Sequence, residues 1–206
     1  SLLNHESSKV RALAIENLYF LKTENLCLQI ESMIYDKDQQ VTTNSFRYLL
    51  KHYDKDSIEL FNKYLNINDI TIANAALIGL AVELRNNHVL QDRFSLENRL
   101  RQALVQWNFM NSEEEKSNKM LAIIEAIGNA KSETFYDTLI EQLASKNLKL
   151  KSTAILSAAK TLDQQFIDLI IDHLSGKETR KTAIEALFSY GEPIIDILVK
   201  KVHKET

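Results

Sequence analysis

The sequence predicts an all-α fold, a solenoid of about six helical hairpins. Three observations carry that expectation. First, one apolar cycle recurs six times: Ala14, Asn17, Leu18, Leu21, Lys22; Ser45, Tyr48, Leu49, His52, Tyr53; Ala73, Ala76, Leu77, Leu80, Ala81; Met120, Ile123, Ile124, Ile127, Gly128; Ala154, Ser157, Ala158, Thr161, Leu162; and Ala183, Ala186, Leu187, Tyr190, Gly191. Self-similarity at a spacing of roughly 30–45 residues is the mark of stacked units that bury their faces on one another. Second, the 206 residues include only four Gly and one Pro, so long helices run uninterrupted. Third, no run of alternating β-branched residues offers a strand.

The six cycle starts, Ala14, Ser45, Ala73, Met120, Ala154 and Ala183, lie 31, 28, 47, 34 and 29 residues apart. Four of these steps suit two helices of about 12 residues and two short turns. The step of 47 marks an insertion in the third unit. Approximate units are therefore 1–35, 36–66, 67–110, 111–144, 145–174 and 175–206, read as one repeat domain.

A second helix follows each first. The pairs of turns read Leu26, Ile30, Ile34; Ile58, Phe61, Leu65; Leu96, Leu100, Leu104; Phe135, Thr138, Leu139, Leu143; Phe166, Leu169, Ile170, Leu174; and Ile194, Ile197, Leu198, Val202. Spacings of three and four place each set on one face. Boundaries carry cap chemistry. Asp36, Asp38 and Asp69 stand where first helices should begin, and Ser132 and Asp163 precede second helices. Gly128 and Gly191 fall where a left-handed residue is expected to end a first helix. Pro193 is expected to open the last helix, where its missing N–H costs least.

At this point the chain resembles HEAT repeats. The resemblance rests on Val10-Arg11, Leu150-Lys151 and Thr179-Arg180, each with Ala three residues after the basic residue. It rests also on the Ala-x-x-Ala-Leu cycle at Ala183–Leu187 and on Gly191-x-Pro193. Asn17, Met120 and Ile123 depart from the small-residue pattern, and the proline stands only once. Similar arrays include the helical repeats of phycobilin lyases and the helical DNA glycosylases that act on alkylated bases. Others are appendages of larger bacterial proteins, including membrane transporters of the nucleotide-translocase type. With no methionine at Ser1 and a helical pattern almost at once, this chain is expected to be a segment of a longer protein.

Composition narrows the function classes. A net charge of −3 argues against a nucleic-acid partner, which usually meets a basic face. A single cysteine, Cys27, suits a reducing, cytoplasmic setting, and its apolar neighbours suggest a buried thiol. The longest apolar stretch, Ala75–Leu84, is far shorter than the ~20 residues that span a bilayer. His5, His52, His88, His173 and His203 are scattered, with no Cys or carboxylate at metal spacing. No glycine-rich phosphate loop or nucleophile elbow is present. The expectation is a non-enzyme with no catalytic residue, metal or cofactor.

Second helices usually line the concave, partner-binding face of such an array. Positions two and six after each second-helix start should point into it. In the last three units these are Asp137 and Glu141, Asp168 and Asp172, and Asp196 and Lys200. In the first three they are Leu28 and Ser32, Glu59 and Lys63, and Asn98 and Gln102. The five carboxylates are either a solvated face or a dock for a basic protein segment or peptide. The basic slot Arg11, Lys151 and Arg180 is expected to pair with carboxylates or turn carbonyls of a neighbouring unit. Arg85, Arg93, Arg99 and Arg101 flank the irregular stretch Asn86–Ser95, with Trp107 and Phe109 nearby. That set offers a phosphate or nucleic-acid contact or, with Glu83, Asp92 and Glu97 interleaved, plain helix packing. The function expected is a protein-binding scaffold or regulatory module; a transporter appendage and a glycosylase-type nucleic-acid binder are the alternatives.

Overall fold

A computed structural model describes residues 2–21, 26–52, 57–85 and 95–204, with side chains of 57, 58, 60 and 200–204 left out. Among the described residues there are twelve α-helices and no strand. They are α1 (Ser8–Phe20), α2 (Cys27–Ser32), α3 (Gln39–His52), α4 (Ser57–Leu65), α5 (Ile70–Leu84), α6 (Leu96–Phe109), α7 (Glu113–Ala130), α8 (Tyr136–Leu143), α9 (Leu148–Thr161), α10 (Gln165–Asp172), α11 (Arg180–Phe188) and α12 (Pro193–Lys204). The six cycle starts fall in α1, α3, α5, α7, α9 and α11. Two compact units divide the chain, Ser1–Ala126 and Ile127–Thr206.

In the first unit, α3 lies against α1, α2 and α5, and α4 lies against α5. The reason is legible in the residues. Helix α5 is apolar on nearly every side, so it must be covered on nearly every side, and Ile72 through Ala81 are all buried. Phe46 on α3 meets Phe61 and Tyr64 on α4 edge-on, with ring centres 5.5 and 5.3 Å apart. Two buried polar side chains on α3 find partners: Asn44 Nδ2 donates to the Ala12 carbonyl at 3.0 Å, and Ser45 Oγ to the Val41 carbonyl at 2.8 Å. A latch joins α1, α3 and α5. Glu83 accepts from Arg47 Nε at 3.0 Å and from the Tyr19 hydroxyl at 2.9 Å, while the Arg47 guanidinium lies 4.7 Å from the Tyr19 ring centre.

In the second unit, α9 lies against α8, α10 and α11, and α10 against α11. Tyr136 and Phe166 meet edge-on at 5.0 Å. The Tyr190 hydroxyl donates to the Asp163 carbonyl at 3.0 Å, and burial pushes the phenol up to about 12.

Several caps form as the residues suggest. Asp69 accepts from the Thr71 and Ile72 amides at the start of α5, and Asp38 from Gln40 and Val41 at the start of α3. Pro193 is the first residue of α12. Gly191 is left-handed, with φ of +69°. Gly128 is different. It sits inside α7, which runs on to Ala130, and the left-handed residue after that helix is Lys131, with φ of +54°. Gly128 is instead a point of close approach, since an added Cβ would lie 2.5 Å from the Ser157 carbonyl oxygen on α9. Ser132 also differs. A short 3-10 turn, Glu133–Phe135, begins there, and the serine side chain makes no cap bond.

Candidate functional site

The positions singled out on second helices lie on the surface. Asp137 and Glu141 on α8, Asp168 and Asp172 on α10, and Asp196 on α12 are all exposed. The Lys200 side chain lies outside the described residues. The equivalent N-terminal positions, Leu28, Ser32, Glu59, Lys63, Asn98 and Gln102, are exposed as well. The shared pattern has a simple origin. On α8 and α10 apolar residues at three- and four-residue spacing turn inward, Leu139 and Leu143, and Phe166 and Ile170, while Asp137, Glu141, Asp168 and Asp172 on the other side face water. None of Asp137, Glu141, Asp172 and Asp196 has a salt-bridge partner among the described residues.

The basic slot divides. Arg11 holds Asp36 with two parallel bonds, Nε at 2.7 Å and an Nη at 2.8 Å, and donates to the His5 and Glu6 carbonyls. The fork geometry explains the strength of this bond, and it holds the Asp36 carboxyl below its ordinary range. Arg180 Nε donates to the Leu174 carbonyl at 2.8 Å. Lys151 has no such partner among the described residues; it lines a cavity.

That cavity, ≈ 400 Å³, lies between the approach to α9 and the turn before α11. Lys146, Lys151, Lys177, Glu178, Thr179 and Leu148 contribute to its wall. The Thr179 hydroxyl is committed elsewhere, donating to the His173 carbonyl at 2.9 Å. The Asn147 side chain already accepts from the Lys149 and Leu150 amides. The lysines bring three positive charges to this wall and Glu178 one negative charge. Burial lowers the His173 pKa, and the nearby Lys151 charge lowers it further against the pull of Asp172. Of these lysines, only Lys151 stood out in the sequence. The missed signal was the close spacing of Lys146, Lys149 and Lys151, which gains meaning only when the turn carrying Lys177 folds beside it.

Of the four arginines near the irregular stretch, Arg99 is drawn into packing. Arg99, whose pKa burial lowers, donates to Asn62 Oδ1 on α4, and Arg101 pairs with Glu97 at 3.8 Å. Arg85 is exposed, and residues 86–94, Arg93 included, lie outside the described residues. Trp107 is half-buried, with the Lys116 ammonium 6.0 Å from its ring centre, while Phe109 is exposed. Cys27 is half-buried rather than enclosed. It stands at the first turn of α2, where its Sγ donates to the His52 carbonyl at 3.5 Å. Among the described residues no group of His, Cys, Asp and Glu could hold a metal ion, and no helix is long and apolar enough to cross a membrane.

No protein-family model matches the chain, and no curated protein matches it. Among solved structures, an engineered protein from the Northeast Structural Genomics Consortium is similar at 15% identity over 92% of this chain and 93% of that one. Its TM-score is 0.42, a degree of likeness that carries no argument about this chain.

Proposed function

We propose that the chain is a non-catalytic protein-binding module: a solenoid of six HEAT-like hairpins whose second helices offer an acidic face to a basic segment of a partner. It would serve as a cytoplasmic scaffold or regulatory module. One observation carries the reading. The carboxylates of Asp137, Glu141, Asp168, Asp172 and Asp196 are exposed at equivalent positions of successive second helices. The order of helix contacts, α1 to α3 to α5 and α9 to α11, supports the repeat arrangement.

Such a face would set encounter rate and register more than affinity, because exposed ion pairs are worth only about 0–1 kcal/mol each. The test is fluorescence anisotropy with a labelled Lys/Arg-rich peptide at low and high salt. Saturable binding that weakens with salt and is lost in Asp168→Lys/Asp172→Lys supports the proposal. Absence of binding, or equal binding by that variant, overturns it.

A further inference from the structure

We propose that the cavity between the approach to α9 and the turn before α11 binds a small phosphate monoester. Three lysines, Lys146, Lys151 and Lys177, line one open space of ≈ 400 Å³, and none has an ion-pair partner among the described residues. Like charges held around one cavity repel, and an anion between them relieves that repulsion. Glu178 is the carboxylate on the wall, so three positive charges face one negative. The balance of two matches a phosphate monoester, which carries about −1.5 to −2 near neutral pH. A monocarboxylate would leave charge uncompensated. Lysine is suited to this task as a mobile point charge with three donors.

Two neighbouring side chains are committed elsewhere. The Thr179 hydroxyl is bonded to the His173 carbonyl, and Asn147 caps the first amides of α9. The lysines supply the charge of the site. Leu148, partly exposed at 41%, supplies an apolar wall for the organic part of the ester. The volume lies at the low end of the range for small-molecule sites, about 300–1,000 Å³, which favours a ligand of a few carbons.

The experiment is a ¹H–¹⁵N NMR titration with glycerol 3-phosphate, against glycerol plus sodium chloride at matched ionic strength. The expected result is saturable shifts at the amides of Lys146, Leu148, Lys177 and Thr179, with a Kd on the order of 1 mM or below at low salt. Lys146 and Lys177 are exposed, so Lys146→Glu/Lys177→Glu should keep the native melting temperature. That variant should weaken binding by about tenfold or more, an energy of ~1.4 kcal/mol. Shifts that fail to saturate, shifts spread over distant lysines such as Lys9 and Lys37, or unchanged affinity in the double variant would each overturn the proposal.

Discussion

Replacing Gly128 with alanine probes a close approach within the second unit, between the last turn of α7 and α9. The new Cβ would lie 2.5 Å from the Ser157 carbonyl oxygen and 2.7 Å from the Ser157 Cα and Cβ. Ordinary contact begins near 3.4 Å, so α7 and α9 must part by about 0.9 Å. Two of the three clashing atoms belong to the backbone and cannot rotate aside. Overpacking of this kind costs about 1–3 kcal/mol. Alanine recovers about 1 kcal/mol of helix propensity, because Gly128 lies inside a helix. The net loss should be about 1–2 kcal/mol, a fall in melting temperature of roughly 2–8 °C for a chain of this size. Thermal unfolding followed by far-UV circular dichroism reads the change directly. Ser157→Gly added to Gly128→Ala should restore only part of it, since the carbonyl clash remains. An unchanged or higher melting temperature for Gly128→Ala would refute the close-approach argument.

Four further outcomes follow from the same geometry. Ala183 is fully buried, so Ala183→Glu should cost about 3–5 kcal/mol by burying an unpaired charge, measured by urea denaturation. Asp69→Ala should cost about 1 kcal/mol in the same assay, through loss of the cap on α5. Asp168→Lys/Asp172→Lys should leave stability within about 0.5 kcal/mol, because both positions are exposed. Acid unfolding should depend on Asp36, whose folded pKa lies below its unfolded value of about 3.9. Its contribution is present above that value and is lost as pH falls through the folded pKa, so Asp36→Asn should flatten the loss of stability below pH ~4.

The first helices were legible because their burial follows a single period. The cycle residues of α5 and α7 are buried without exception, and those of α9 fail only at Leu162, a left-handed residue after the helix. The first copy behaves differently. Ala14 is half-buried and Asn17 and Leu21 are exposed, while Ala12 and Ile15 carry the burial in α1. The first helix of the series lies chiefly against α3, so its inward stripe is narrower.

The misread positions share a cause. Gly128 looked like a terminator because glycine commonly ends helices, yet a close approach needs the same missing Cβ; only the position of Ser157 separates the two. Ser132 had the right chemistry for a cap but preceded a 3-10 turn, whose tighter ladder uses its carbonyl, not its side chain. The Arg47–Glu83–Tyr19 latch was invisible for a plainer reason: its members are 36 and 64 residues apart, and no local period connects them. The acidic positions were readable as surface because they fall between apolar turns. What they bind is chemistry of a second molecule, which no periodicity within this chain encodes.

The central claim is that the acidic second-helix positions form the working surface. Mapping the amide shifts caused by a Lys/Arg-rich peptide onto the chain tests it most directly. The account predicts a saturable footprint on the exposed sides of α8, α10 and α12, around Asp137, Glu141, Asp168, Asp172 and Asp196. A footprint confined to other helices, or no saturable shift at low salt, would contradict it.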